Sequence, residues 1–469
     1  MILRDFIEVY DFLLFPIYLI VFSMLAIFYK KKYLREGKEE YKYFDLGIII
    51  KMSGAFAFAM VYAFYYKDGD TGNYYRTGKF LMELMLTRPM EYFEIMIGNA
   101  HPNRFYYFYS DDYTFPVFWT NDKYAFFVSR ITSIVTLFGA GRFIPTTLTF
   151  SILGFWGNWK LFQMFCEMYP KLKKQLFIAI FAVPSTAFWT SGIMKDTVTL
   201  SAVCWYLYGF YNLLIKRKFN WYYWLAILSA IFIHLNVKPY VLYALLPGSL
   251  IWWSVSVLDK YNASFIRSLF TMILISFGSI LGFFALSLLS NKMGDYAVDR
   301  VLEKSEIVRS DLKREAYKGN SFDIGEYENS IPGLIKVSPK AIFAGLFRPT
   351  LLDVRNVVML VSAIENTVLL YLLIRLFYRY RWKNIFHIIY HQSVVLFMLT
   401  FTLFFSFSVG LSISNFGSLV RLKTPALPFF VLSLVIIEYY CKLMKQYRVQ
   451  NIQQLQKVEL TQSHSFAQT

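Results

Sequence analysis

The sequence has few cysteines, and their placement indicates neither a disulfide framework nor a metal site. Cys166, Cys204 and Cys441 lie within or beside apolar segments, without paired or metal-ligand spacing. Cysteines of this kind pack as small hydrophobic side chains. His234 is equally isolated, since no second histidine lies near it in sequence. These residues supply no metal signature, and they say little about the redox compartment.

Charged residues are also scarce, at 17% of the chain, whereas 57% of the 469 residues are hydrophobic and 20% are aromatic. A soluble globular protein could not display this composition on its surface without aggregating. Several apolar runs reach the roughly 20 residues that a helix needs to cross about 30 Å of hydrocarbon. We therefore expect an integral membrane protein whose spans are helices.

Acidic residues are outnumbered, with 31 against 48 lysines and arginines, and the formal net charge is +17. This excess does not imply a nucleic-acid partner, because the basic residues cluster in short loops between apolar runs. In such loops they set membrane topology and meet anionic lipid headgroups. Membrane lipids are therefore expected partners, and nucleic acid is not.

The apolar runs predict an all-α, polytopic bundle of about 11 transmembrane spans, within a range of roughly 10 to 13. The runs lie at about 11–29, 46–66, 144–165, 175–190, 197–215, 221–236, 238–257, 265–289, 354–377, 392–411 and 423–441. The first is expected to be a retained helix, since it lacks a basic leader and a cleavage site. Runs 175–190 and 221–236 are short, which leaves re-entrant segments open there.

The basic loops predict the orientation, because they all become cytoplasmic if the N-terminus is outside and the C-terminus is inside. One transmembrane domain is expected over 1–445, followed by a flexible cytoplasmic tail at 446–469. Two large outer loops then lie at 67–143 and 290–353. The first is rich in aromatic residues, which fits interfacial helices or a platform on which sugars stack. Within it, the apolar run at 124–139 is interpreted as lying in or dipping into the outer interface.

Two carboxylates directly after the second apolar run are the leading site candidates. Asp68 and Asp70 flank Gly69 in the segment KDGDTGNYY, where the glycines permit a turn that can aim a carboxylate at the membrane surface. Sugar transfer from a lipid-linked donor needs a base or a metal-holding carboxylate at that place. The same spacing also fits a solvated surface turn.

Two lysines at predicted outer helix ends are candidates to face a diphosphate. Lys195 precedes Asp196 in FWTSGIMKD, and Lys238 lies four residues after His234. The structural alternative is a snorkelling cation, or a local pairing of Lys195 with Asp196.

Two arginines belong to the same group of candidates. Arg348, in LFRP, precedes the span that holds Glu365, and Arg421, in RLKTPALP, lies where a helix re-enters the membrane. Arginine is suited to bidentate phosphate contact, and an interfacial anchor is the alternative. Because an acidic residue within a span is costly, Glu365 is expected either to touch substrate or to pair with an arginine across the bundle.

These motifs carry a resemblance to a known family. GDTGNYY resembles the G-D-T-x-x-Y pattern that follows the second helix of EpsG-type polysaccharide polymerases, and RLKTPALP is similar to the R-Y-x-x-P-x-x-P run of many GT-C glycosyltransferases. Two features depart from the GT-C pattern. Leu422 stands in place of the tyrosine, and Asp68 and Asp70 flank a glycine where GT-C loops often carry adjacent acids. The second departure leaves metal dependence open.

The resemblance implies an enzyme on the outer face of a bacterial inner membrane. Such enzymes take sugar from a polyprenyl-phosphate or polyprenyl-diphosphate donor and pass it to a polysaccharide or glycolipid acceptor. The resemblance places the catalytic carboxylate at Asp70, with Asp68 second, and a donor-phosphate contact at Arg421. Tyr74 matches the tyrosine of the first pattern and joins the substrate-binding candidates. No cofactor is firmly implied, and a divalent cation stays open.

Two other classes of function stay open. A transporter or flippase of lipid-linked saccharide would favour polar residues near mid-membrane and inverted repeats, of which only Glu365 gives a hint. A non-catalytic assembly subunit would leave the carboxylates exposed and unsupported. The enzyme hypothesis instead predicts one outer-leaflet cavity that joins Asp70, Lys195, Arg348 and Arg421.

Overall fold

The computed structural model describes residues 2–4, 6–98, 122–258, 322, 324–325 and 331–466. A short antiparallel pair, β1 (Ile2–Arg4) with β2 (Ile7–Glu8), precedes a chain of helices. The helices are α1 Val9–Arg35, α2 Phe44–Met60, α3 Asp70–Thr87, α4 Pro89–Ile97, α5 Lys123–Phe138, α6 Phe143–Met168, α7 Lys173–Phe181, α8 Pro184–Trp189, α9 Lys195–Phe210, α10 Trp221–Val237, α11 Pro239–Leu258, α12 Ile331–Phe347, α13 Val357–Arg379, α14 Trp382–His391, α15 Ser393–Ser412, α16 Phe416–Leu422 and α17 Leu427–Phe466.

Seven helical segments in the described residues are long and apolar enough to cross a membrane, or eight if one bent pair counts as a span. The seven are Val9–Arg35, Glu39–Tyr66, Lys195–Ile215, Pro239–Leu258, Met359–Arg379, Ser393–Ser412 and Leu427–Arg448. The prediction of a multi-pass, all-α membrane protein is confirmed. The predicted count of about 11 spans is not.

Four of the 11 predicted spans are not among the seven spanning segments of the structure. The run at 175–190 is interrupted, since α7 ends at Phe181 and α8 begins at Pro184, whose ring cannot continue a helix. Run 221–236 forms α10, an apolar helix of only 17 residues. Run 144–165 forms α6, which makes the bent pair with α5 at an angle of 111°. Run 265–289 lies outside the described residues.

The predicted loops and tail are described only in part. The first outer loop contains α3, α4 and α5, while its aromatic stretch at 99–121 lies outside the described residues. Most of the second outer loop also lies outside them, apart from residues 322, 324–325 and 331–353, which include α12. The helix α17 continues to Phe466, through most of the stretch expected to form a flexible tail.

The segment Thr190–Met194, which connects α8 to α9, lies buried inside the bundle against α2. Two glycines allow the close approach. A Cβ added at Gly192 would lie 2.1 Å from the Phe58 ring, and one added at Gly54 would lie 2.3 Å from the carbonyl oxygen of Ala187. No larger side chain fits at either position without movement of its neighbours.

A buried lysine also holds this segment. Lys51, in the middle of α2, donates from Nζ to the carbonyl oxygen of Thr190 at 2.6 Å and to its Oγ1 at 2.8 Å. Since Thr190 ends the short helix α8, these bonds satisfy a carbonyl that the helix leaves open. The segment then leads directly into α9, so its path decides where Lys195 and Asp196 lie.

Candidate functional site

Asp70 begins α3 after a tight turn at the end of the second span. In this turn Lys67 and Gly69 have φ angles of 65° and 137°, and glycine adopts such angles without steric cost. The Asp70 side chain is 43% exposed, and its Oδ2 accepts a hydrogen bond from Nη1 of Arg421 at 2.7 Å. The turn therefore holds a partly exposed carboxylate against a guanidinium group.

Asp196 lies deeper and is held by two cations. Its side chain is fully buried, and its two oxygens accept hydrogen bonds from Nε of Arg421 at 2.8 Å and from Nζ of Lys238 at 2.5 Å. Arg421 thus joins Asp196 to Asp70. We call these four residues, Asp70, Arg421, Asp196 and Lys238, the ion network.

The ion network draws one residue from each of four parts of the chain. Asp70 and Asp196 occupy the first turns of α3 and α9, Lys238 lies between α10 and α11, and Arg421 lies in α16. Removing charges from water is costly unless they are paired. The network pairs all four charges. Asp196 and Lys238 are its buried part, and we call the partly exposed Asp70 and Arg421 its open edge.

Arg421 stays charged within the network. Burial disfavours its charged form, but Asp196 and Asp70 outweigh burial and raise the pKa of Arg421 well above its usual value. The two carboxylates also fix the plane of the guanidinium, because they occupy its Nε and Nη1 atoms. The site therefore contains a rigid, permanent positive charge beside an exposed carboxylate.

Tyr74 lies one turn along α3 from Asp70 and is almost completely buried, at 1% exposure. Burial, followed by the charge of Asp70, raises the pKa of Tyr74 well above its usual value, although Arg421 opposes the shift. Tyr74 is therefore a buried phenol that remains protonated, one helical turn from Asp70.

Lys195 approaches the network but pairs with a different carboxylate. Its Nζ donates to Oδ2 of Asp122 at 3.1 Å, so the local pairing with Asp196 considered from the sequence is not what the structure shows. The Lys195 side chain is 17% exposed and that of Asp122 is 44% exposed. Lys195 is thus a cation at the rim of the site, next in sequence to the buried Asp196.

Sequence reasoning did not single out Asp122, although a capping signal was present. Asp122 directly precedes the apolar run that forms α5, and acidic residues are favoured at this position. Its Oδ1 accepts hydrogen bonds from the backbone N–H groups of Tyr124 and Ala125, while Oδ2 binds Lys195. One carboxylate thus starts a helix and positions a site lysine.

Asp122→Ala is expected to lower the free energy of unfolding by about 0.5–2 kcal/mol, as loss of an N-cap does. Thermal unfolding of the purified protein in detergent measures the change. Asn220→Ala is the matched control, since Asn220 caps α10 through the backbone N–H of Tyr222. Equal losses in the two variants would show that the contact with Lys195 adds no measurable stability.

Asp68 and Arg348 do not join the ion network. Asp68 pairs with Arg76, which donates to its Oδ2 from Nη2 at 3.0 Å. Arg348 pairs with Asp353, with a shortest distance of 2.6 Å. The predicted cavity that joins Asp70, Lys195, Arg348 and Arg421 stays a prediction. Arg421 contacts Asp70, Lys195 lies at the rim, and Arg348 belongs to a separate group of side chains.

Glu365 makes a contact that neither sequence alternative anticipated. It is buried in α13, and its Oε2 accepts a hydrogen bond from the backbone N–H of Ser185 at 2.6 Å. The carboxylate thus holds the first turn of α8, at the opposite end from the Lys51 contact. Glu365 and Lys51 thus hold the two ends of α8, the short helix that precedes Asp196 in the chain.

The described residues contain no group of three or more histidine, cysteine, aspartate or glutamate side chains placed to hold a metal ion. Asp70 and Asp196 are bridged by the guanidinium of Arg421. The participation of a divalent cation stays an open expectation.

Comparison with family models, curated proteins and solved structures finds no match for this chain.

Proposed function

We propose that this protein is a membrane glycosyltransferase or repeat-unit polymerase that uses a polyprenyl-phosphate or polyprenyl-diphosphate sugar donor. The acceptor is a surface polysaccharide or glycolipid. One observation carries the proposal, namely the exposed carboxylate of Asp70 at 2.7 Å from the guanidinium of Arg421, which the buried Asp196 orients. A base beside a fixed cation suits attack by a hydroxyl on a carbon that carries a phosphate leaving group.

Each residue of the site has its own role in the proposed reaction. Asp70 orients the acceptor hydroxyl and takes its proton as the oxygen attacks the anomeric carbon with inversion. The bond from that carbon to the phosphate oxygen breaks, and the electron pair leaves with the phosphate or diphosphate. Arg421 stabilises the growing negative charge through Nη2, which neither carboxylate occupies. Lys195 and Lys238 add positive charge nearby.

The proposed location is the outer face of a bacterial inner membrane, with the N-terminus outside and the C-terminus in the cytoplasm. The basic loops support this orientation through the positive-inside rule. It places the first turn of α3, and with it Asp70, at the side where the lipid-linked donor and the acceptor would meet.

A transporter or flippase of lipid-linked saccharide is the second candidate. Lys51 and Glu365 favour it, since ionisable residues buried within spans often line transport pathways. Their contacts with Thr190 and Ser185 also have a structural explanation, because both hold α8 in place. The enzyme is the better-supported proposal, since transport does not require a carboxylate at the open edge of the network.

Asp70→Asn tests the enzyme proposal. Loss of a general base lowers rates by about 10²–10⁴-fold, so surface glycan per molecule of membrane-inserted protein is expected to fall to background. Asp68→Asn is the matched control, because Asp68 pairs with Arg76 outside the network and is expected to keep near-normal glycan. Full glycan from Asp70→Asn would overturn the catalytic role.

The same variant separates the enzyme from the transporter. If the protein is a transferase, Asp70→Asn leaves the lipid-linked saccharide on the outer face, where an added lectin that binds the saccharide detects it. Retention of that lipid on the cytoplasmic face would instead identify a transporter.

A further inference from the structure

A cavity of about 570 Å³ lies beside α12, separate from the ion network. Its walls are largely apolar and include Pro339, Phe343 and Ala344. Two cationic side chains, Lys340 and Arg348, also line it. A largely apolar pocket that a small number of charged side chains line is typical of a ligand site.

Arg348 is held rigidly at this cavity. Its Nε and Nη2 atoms donate to the two carboxylate oxygens of Asp353 at 3.2 and 2.6 Å. Its guanidinium carbon lies 4.8 and 5.3 Å from the ring centroids of Phe322 and Phe416, which stack on each other. The remaining edge of the guanidinium, at Nη1, is not used by Asp353. These contacts orient the cation in advance of any ligand.

Asp353 orients Arg348 by accepting its hydrogen bonds, as Asp196 does for Arg421. The Asp353 carboxylate also accepts hydrogen bonds from the backbone N–H and Oγ1 of Thr350, so its own bonding capacity is satisfied locally. Burial disfavours its charge, but Arg348 and Thr350 outweigh burial and lower the pKa of Asp353. Each arginine is thus oriented by a more buried carboxylate, with 20% of Arg421 and 26% of Arg348 left exposed.

The short helix α16 contacts Arg348 and contains Arg421. Phe416 at its start stacks against Arg348, and Arg421 follows five residues later, at about 7.5 Å of helix rise. Just beyond α16, Lys423 donates from Nζ to the carbonyl oxygen of Arg348 at 3.1 Å. The two cationic sites are therefore neighbours with a fixed relation to each other.

We propose that the cavity lined by Arg348 and Lys340 binds the phosphate of a second lipid-linked saccharide, which is the acceptor. This inference rests on the proposed function and selects the repeat-unit polymerase from the two enzymes named there. Transfer to a neutral acceptor needs one phosphate site, whereas joining two lipid-linked saccharides needs two. The acceptor hydroxyl and the acceptor phosphate lie at opposite ends of a saccharide, so the second site must lie apart from Asp70.

The charge balance of the cavity suits an anion. Among the described residues that line the cavity there are two cations, Lys340 and Arg348, and no carboxylate, and the oxygens of Asp353, the partner of Arg348, are already occupied. Lys340 is exposed and can move to meet a phosphate, while Arg348 supplies a fixed contact. The apolar walls at Phe343 and Pro339 suit the lipid carbons or the apolar face of a sugar next to that phosphate.

Titration of the purified full-length protein in detergent with farnesyl diphosphate, followed by native mass spectrometry, tests the second site. The wild-type protein is expected to bind two diphosphates. Lys340→Gln is expected to weaken one of them roughly tenfold or more and leave the other unchanged, because a charge-assisted contact is lost. Lys195→Gln is expected to weaken the other one, because it removes a positive charge at the rim of the ion network and leaves only the half-exposed Asp122 without its partner. A single diphosphate per wild-type chain would overturn the proposal.

The matched control is Lys336→Gln. Lys336 is exposed one helical turn before Lys340 and does not line the cavity, so this variant is expected to bind two diphosphates normally. If Lys336→Gln and Lys340→Gln weaken binding equally, general surface charge explains the effect and the site assignment fails. Arg348→Gln is less suitable as the main variant, since it leaves Asp353 without its partner.

Competition distinguishes a phosphate from the carboxylate of an acidic sugar. Inorganic pyrophosphate is expected to displace the diphosphate that depends on Lys340, and glucuronate is not. Displacement by glucuronate alone would overturn the phosphate assignment.

The two proposals can fail separately. Two bound diphosphates together with full glycan from Asp70→Asn would leave the second site standing and remove the proposed reaction. One bound diphosphate together with loss of glycan in Asp70→Asn would do the reverse.

Discussion

Asp196→Ala is expected to lower the free energy of unfolding by about 3–5 kcal/mol and to abolish glycan transfer. The substitution removes the buried carboxylate that Arg421 and Lys238 share. Breaking a buried ion pair from one side leaves an uncompensated charge, which costs far more than the pair contributes. Such a loss is a large part of the 5–15 kcal/mol that stabilises a typical domain. Thermal unfolding in detergent and the amount of folded protein in membranes measure it.

Asp68→Ala is the matched control for burial. Asp68 also forms an ion pair, but its side chain is 48% exposed and its partner Arg76 keeps a second contact, with Asn73. Loss of an exposed pair costs about 0.2–1 kcal/mol. Equal destabilisation by Asp68→Ala and Asp196→Ala would contradict the role given to the buried carboxylate.

A double variant separates stability from activity. Asp196→Leu combined with Lys238→Met removes both members of the most buried pair, while Arg421 keeps Asp70 as a partner. Replacing a buried pair by apolar side chains is often neutral, so most of the lost stability is expected to return. Transfer is not expected to return, because Arg421 is no longer oriented. Recovery of transfer would show that the orientation of Arg421 is unimportant.

The sequence allowed three of the four members of the ion network to be chosen, but it gave Asp196 only as a possible partner of Lys195, and it did not give their grouping. The charge pattern placed Asp70, Lys195, Arg348 and Arg421 on one predicted side of the membrane, and the structure brings Asp70 and Arg421 into contact. Topology rules say on which side a loop end lies, but they do not give the lateral order of the helices. For this reason the separate position of Arg348 could not be predicted.

The buried segment before α9 shows a second limit of sequence reasoning. Hydropathy does not distinguish a spanning helix from an apolar segment that is broken and buried within the bundle. The available signals were Pro184, which starts a new helix, and Gly192, which permits close packing against Phe58. The role of Lys51 had no signal, because its acceptors on Thr190 are 139 positions away in sequence.

The buried segment is the source of the second large effect that we expect. Gly54→Ala is predicted to lower the free energy of unfolding by up to about 3 kcal/mol, as overpacking does. The new Cβ would lie 2.3 Å from the carbonyl oxygen of Ala187, and a backbone atom in α8 cannot turn aside as a side chain can. Movement of α8 would also displace Lys195 and Asp196, and a misplacement of about 1 Å can lower activity by 10²-fold.

Gly47→Ala on the same helix is the control for Gly54→Ala. Its Cβ would meet the ring edges of Phe155 and Phe177 at 3.0 and 3.5 Å, so a ring shift of only a few tenths of an ångström is needed. Alanine is also favoured over glycine within a helix by about 1 kcal/mol, so the net change is expected to be small. Thermal unfolding and surface glycan are compared for both variants. If Gly54→Ala keeps full stability and full glycan, the packing of α2 against α8 does not position Asp196.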